Sequence, residues 1–158
     1  MAIRQIVQVG DPVLTVKAKK VDVINGHIIQ LLDDLVDTVR HANGAGLAAP
    51  QVGVRRRVCV VDVEGQLYEL VNPEIIEREG EEIGLEGCLS APGRAGLVKR
   101  PTKIKVRALD REGKEQVYEV EDFTARAFCH EIDHLDGIVY LDIMEQEVFD
   151  FEEDGEEV

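Results

Sequence analysis

The residues with the clearest chemical potential are His130, Glu131 and His134, in the run His130-Glu131-Ile132-Asp133-His134. A spacing of four is a little over one helical turn, so the two imidazoles share a face and can hold one metal ion between them. Glu131 stands one position along, within reach of a proton on water at that ion. The pattern would arise by accident in well under ~1% of chains of this length, so the metal reading outweighs chance or a buried structural pair. The chemistry it offers is metal-assisted hydrolysis. The flanks predict a helix: Thr124 to Phe128 leads in, Asp122 or Thr124 is a candidate N-cap, and Gly137 offers a stop.

Two other stretches can supply what such a site lacks. In Gly84 to Gly93, a loop by composition, Cys88 sits between Gly87 and Leu89. Beside a two-His helix it is a candidate third ligand, because a thiolate binds borderline-soft divalent ions strongly. Three protein ligands would leave a fourth position for water. Gly44-Ala45-Gly46-Leu47-Ala48-Ala49-Pro50-Gln51 matches Gly-x-Gly-x-x-Ala on paper. The dinucleotide fingerprint needs a strand before it and a helix after it. Here a helix precedes, and Pro50 blocks one running on. The run reads instead as a tight loop bringing backbone close to a ligand, with the Gln51 amide able to donate to a developing oxyanion.

The elements that must position these residues follow from periodicity. Ile28, Leu31, Leu32, Leu35, Val36 and Val39 recur at helical steps and predict a helix from about His27 to Asn43, with Asn25 as cap. Arg57 to Val63 is a buried strand, and Gln66 to Val71 returns after Glu64-Gly65. Asn72-Pro73 is expected to end that strand, with another over Glu74 to Arg78. Ile104, Val106 and Ala108 alternate with Lys103, Lys105 and Arg107; Asp110 to Gly113 turns the chain, and Val117 to Val120 comes back. The basic stripe reads as the wet face of a sheet. Ile138 to Leu141 reads as a last short strand. The fold class is α+β, with the His-bearing helix packed among antiparallel sheets.

A chain of 158 residues, 44% apolar and 32% charged, fits one domain with an adequate core. No apolar run approaches a membrane span, and the first residues lack the design of a secretion signal. Three cysteines without framework spacing argue against a disulfide scaffold and for a reducing cytoplasm. The net charge is −14, but residues 145–158 carry eight acids and no Lys or Arg, which leaves about −6 for the body. The expected division is a catalytic domain over 1–144 and an acidic, mobile tail over 145–158. Such a chain is a poor general nucleic-acid binder.

Three segments together resemble the peptide deformylases: Gly44 to Gln51, Glu86-Gly87-Cys88-Leu89-Ser90, and His130 to Gly137. Their order and separations also fit, and the likeness runs from about Gly10 to Met144. The resemblance implies a cytoplasmic hydrolase that removes the formyl group from the N-terminal formyl-methionine of new polypeptides. Carried over by position, Cys88, His130 and His134 would be the metal ligands and Glu131 the general base and then acid. Gln51 and the backbone N–H of Leu89 would form the oxyanion hole, and Gly46 would hold the substrate backbone. Ferrous iron is the implied ion, with zinc, nickel or cobalt able to replace it. Ala45, Phe128 and Cys129 are candidates for the methionine pocket, with core packing as the alternative.

This sequence departs from the resemblance at two places. Cys129 stands where many relatives have Gln. The short acidic end replaces a long C-terminal helix, basic in some relatives, so a ribosome encounter would be transient and made without a docking helix. Partners are therefore formylated nascent peptides, with no membrane and no specific nucleic acid. Two other readings compete. A zinc endopeptidase would take a downstream third ligand, yet Tyr140 occupies the position where one such class places His. A closed, non-catalytic metal module would need Cys129 or Asp133 as a fourth ligand.

Overall fold

The computed structural model describes residues 2–149. Its helices are α1 (Gly26–His41), α2 (Asp122–Leu135) and the one-turn α3 (Tyr140–Ile143). Its strands are β1 (Gly46–Ala48), β2 (Val58–Val63), β3 (Gln66–Glu79), β4 (Glu82–Glu86), β5 (Ala95–Arg100), β6 (Lys103–Leu109), β7 (Glu115–Glu121) and β8 (Gln146–Val148). Five strands form one sheet in the order β1-β2-β3-β6-β7, and three form a second in the order β4-β5-β8. Every pairing between these strands is antiparallel. The α+β class with antiparallel sheets is as the sequence implies.

The large sheet lies between two helices, which explains why β2 is apolar on both faces from Val58 to Val61. Val58 and Val60 face α1 and join Leu31, Leu32, Leu35 and Val39 in one cluster. Cys59, Val61 and Val63 face the other way and join Ala125, Phe128, Ile132 and Leu135 of α2. With side chains alternating along a strand, both faces are apolar when both are covered. Asn25 caps α1, its side chain accepting from the N–H groups of His27 and Ile28. Among the described residues no helix is long and apolar enough to cross a membrane.

Several expectations are corrected. β3 is one strand rather than two: the chain bulges at Asn72 (φ 51) and resumes its pairing with β6 at Glu74. The Asn72 side chain bonds both the N–H and the carbonyl of Val21 at 2.8 Å, which stabilises the irregularity. The Gly44 to Gln51 run is a short strand followed by a 3-10 turn over Ala49–Val52, rather than a loop. Residues 84–86 belong to β4, so the loop bearing Cys88 starts at Gly87. The expected strand over Ile138 to Leu141 is a turn into α3, because Asp142 accepts from the Val139 N–H and closes a helical turn. The strand comes later, at Gln146–Val148 on β5, so residues 145–148 are part of the folded body rather than of a tail. The rest of that acidic segment, 150–158, lies outside the described residues.

The Lys105 and Arg107 stripe is the wet face expected of it. Lys105 pairs with Glu77 and Glu119, and Arg107 with Glu74 and Glu115. These exposed cross-strand pairs contribute little each.

Candidate metal centre

α2 places His130 and His134 one above the other, with ring centroids 4.9 Å apart. β4 ends at Glu86, and two residues later the chain delivers Cys88 to the same point. Cys88 Sγ, one nitrogen of His130 and one of His134 all lie within 4.8 Å of one another, and all three residues are buried. Cys88 Sγ is 3.4 Å from His134 Nε2. With bonds of about 2.0–2.3 Å to a common ion, ligand atoms at tetrahedral angles come out about 3.3–3.8 Å apart; the Cys88–His134 separation falls in that range.

The state of the nitrogens supports the fit. His130 Nε2 is buried and has no hydrogen-bond partner among the described residues, while its Nδ1 donates to Glu86 Oε1 at 2.9 Å. That bond fixes the tautomer and leaves the Nε2 lone pair free for a cation. Burial pushes the His134 pKa well below the ordinary imidazole value, and His130 and Arg100 add to the effect, so the ring stays neutral as a ligand must. Tyr140 of α3 stacks on His130 at 5.8 Å and walls the ring on its far side.

Glu131 is fully buried, and neither of its carboxylate oxygens has a hydrogen-bond partner among the described residues. Burial pushes its pKa well above the ordinary carboxylate range, and the negative charge of Glu86 pushes the same way. A carboxylate in such a place needs a cation or a proton to exchange. β1 makes room for it. A Cβ on Gly46 would stand 2.5 Å from Glu131 Oε2 and 2.8 Å from Cγ, so only glycine fits.

Gln51, also buried, has its amide oriented by the backbone. Its Oε1 accepts from the Ala48 N–H at 2.9 Å, so Nε2 faces the site, 3.5 Å from Cys88 Sγ and 3.1 Å from Ser90 Oγ. Leu89 follows Cys88, and its N–H serves no backbone bond among the described residues. Of the pocket candidates, Phe128 is corrected. Its ring meets Tyr68 at 4.9 Å and Tyr118 at 6.2 Å inside the core under the large sheet, because it lies about 160° round the helix from His130. Ala45 and Cys129 join the same cluster. Cys129 is outside the ligand set, with its thiol pushed up to about 11 by burial against the opposing charge of Arg100. The closed four-ligand module is therefore disfavoured, as Asp133 is engaged by Arg100 at 2.6 Å.

Sequence reasoning did not find the charges behind the ligands. Glu86 is fully buried and accepts two bonds from Arg100, at 2.8 and 2.9 Å. Burial opposes its ionisation, but Arg100 and His130 outweigh that and hold its pKa at about 2. Arg100 is thus a structural partner rather than a grip on substrate, and Arg94 is paired with Glu147 at the surface. The stability Glu86 contributes is present in full above about pH 4.5 and is lost as pH falls through about 2. Glu86→Gln is expected to destabilise the fold by about 3–5 kcal/mol, as removing one partner of a buried ion pair does. Denaturant unfolding at neutral pH measures it; a change below about 1 kcal/mol would show that the cluster tolerates a neutral amide.

Comparison with known proteins agrees with this geometry. The family model described as polypeptide deformylase matches residues 3–149. The peptide deformylase of Thermoanaerobacter pseudethanolicus is 56% identical over 142 residues, covering 90% of this chain and 89% of that protein. That of Caldanaerobacter subterraneus subsp. tengcongensis is 58% identical over the same length, covering 90% and 89%. The crystal structure of peptide deformylase from Thermotoga maritima superposes with a TM-score of 0.88 at 37% identity, covering 90% of this chain and 98% of that one. Fold and site together define the class, a hydrolase of the metalloenzyme kind. Within it, the chain belongs to the polypeptide deformylase family.

Proposed function

We propose that this chain releases formate from the N-terminal formyl-methionine of newly synthesised polypeptides, with one divalent ion held by Cys88, His130 and His134. The observation carrying this reading is the buried thiol and two imidazoles within 4.8 Å, beside a buried Glu131 whose oxygens have no hydrogen-bond partner among the described residues. A bound ion would polarise the formyl oxygen and lower the pKa of a water molecule. The choice of ferrous iron rests on the family resemblance, and the donor set also suits zinc, nickel and cobalt.

The chain's own groups do the rest. Glu131 takes a proton from water as its oxygen adds to the formyl carbon. Gln51 Nε2 and the Leu89 N–H donate to the oxygen that gains charge. The Gly46 backbone, at the edge of the large sheet, lies alongside Glu131 and aligns the substrate main chain. As the C–N bond breaks, Glu131 gives its proton to the departing amine. The products are formate and a free methionyl amine. Since the substrate is a nascent chain, the cytoplasm is the assigned place.

Gln51→Ala is expected to lower kcat by about 10²–10³-fold with metal content unchanged, the usual cost of one oxyanion donor. Protein purified without oxygen, assayed for metal and for formate release from formyl-Met-Ala and for cleavage of an internal peptide, tests the whole reading. Formate release that follows metal content supports it. Internal cleavage without formate release would replace it with an endopeptidase.

A further inference from the structure

Arg126 lies one helical turn before His130 on α2 and is buried, although nothing in the reaction calls for it. Its Nη1 donates to Glu86 Oε2 at 2.8 Å and to the Val98 carbonyl at 2.9 Å; its Nη2 donates to the Glu82 carbonyl at 3.0 Å. The Gly84 carbonyl is a longer contact at 3.5 Å. One guanidinium thus joins α2 to β4 and β5. The sequence makes room for it, because a Cβ on Gly84 would stand 2.8 Å from Arg126 Cζ and Nη2.

The consequence lies in how the ligands are distributed. Both imidazoles ride on α2, whereas Cys88 rides on the loop that leaves β4. Nothing within either element sets the gap between sulfur and nitrogen. The small sheet is separate from the large one that anchors α2 and is joined to it by the short links 80–81 and 101–102, so side chains between α2 and β4 add to what sets their relative placement. Glu86 stands at the junction. Its Oε1 accepts from His130 and Arg100, and its Oε2 from Arg100 and Arg126. All four lone-pair directions of the carboxylate are filled, which locks its plane and with it the His130 ring. Arg100 comes from β5 and joins Glu86 of β4 to Asp133 of α2, the latter at 2.6 Å. Arg126 adds a tie that starts from the helix itself, since it and His130 reach the same carboxylate from positions i and i+4 and it also bonds the Glu82 carbonyl of β4.

We propose that Arg126 is a positioning residue of the metal centre, a clamp that sets the distance between Cys88 and the His130–His134 pair through Glu86 and the β4 carbonyls. The inference rests on the ligand set assigned above. The Arg fork is needed, because a lysine at this position carries the charge but cannot bond a carboxylate and three strand carbonyls in one plane.

The test compares Arg126→Met and Arg126→Lys with wild type, each loaded with zinc. Zinc release to a chromogenic chelator, the cobalt-form absorption spectrum and the Tm of the metal-free protein are recorded. Arg126→Met is expected to release zinc about 10–100-fold faster, the usual effect of losing a group that orients a ligand. Its cobalt spectrum should shift, and Arg126→Lys should fall between it and wild type. Combined with Glu86→Gln, the Met change should add little further, since both act through one carboxylate. Wild-type release and an unchanged spectrum in Arg126→Met, at any Tm, would overturn the clamp. If that variant does not fold, the lysine variant decides on the same readouts. Failure of the ligand set itself looks different: wild-type protein that takes up no zinc, or Cys88→Ser that holds zinc as wild type does.

Discussion

Glu131→Ala is expected to keep its metal and lose about 10²–10⁴-fold in turnover, the range a positioned general base supplies. The reason is geometric before it is chemical. Glu131 follows His130 directly, so α2 delivers it beside the ligands without making it one. Its two oxygens have no hydrogen-bond partner among the described residues, although they are fully buried. A structural carboxylate in that position would be bonded, as Glu86 is on all sides. The gap left by Gly46 keeps those oxygens within the site rather than pressed against β1. Glu131→Gln, of the same shape, separates the proton-transfer role from space filling and should be nearly as inactive. Metal analysis and initial rates of formate release on the same preparations measure both effects. A variant that retains its metal and deformylates at the wild-type rate would show that another group moves the proton.

Cys88→Ser is expected to weaken metal binding by more than about 100-fold, beyond what loss of an orienting group costs. A serine hydroxyl is shorter than the thiol and is not ionised at neutral pH, so the soft, charged donor of the set is lost. Cys59→Ser is the matched control. Cys59 lies within β2 opposite Ala48, in the cluster that packs on α2, and is not in the ligand group. Burying a hydroxyl there should cost about 1–3 kcal/mol of stability while leaving metal content at the wild-type level. Metal content per folded chain, measured after dialysis against a weak chelator, separates the two variants. Equal content in both would mean that Cys88 is not a ligand.

The helix bearing His130, Glu131 and His134 was legible because its information is local. His130 and His134 share a face by helical period alone, and Glu131 follows from its place beside them. The stripes of α1 and the alternation of β6 are likewise periodic properties of a few consecutive residues. Cys88 and Gln51 could be singled out as candidates, but their meeting with the helix rested on resemblance to a family. For Phe128 the sequence left pocket and core packing open, and its contacts with Tyr68 and Tyr118 favour the core, because two positions before His130 is about 160° round the helix. The 138–141 stretch has strand composition, and a single Asp142 carboxylate on the Val139 N–H was enough to make it a turn into α3.

By itself, then, the sequence determined the chemistry on offer: two imidazoles and a carboxylate on one helix, an apolar stripe on another, strands that alternate. Tertiary structure alone decided what faces those groups. The carboxylate behind His130 comes from a residue 44 positions away, and its two arginines reach it across 14 and 40. Gly46 and Gly84 are required only because Glu131 and Arg126 occupy the space beside them. Periodicity extends over a turn or a strand, whereas burial and charge pairing depend on which distant surfaces the fold presses together.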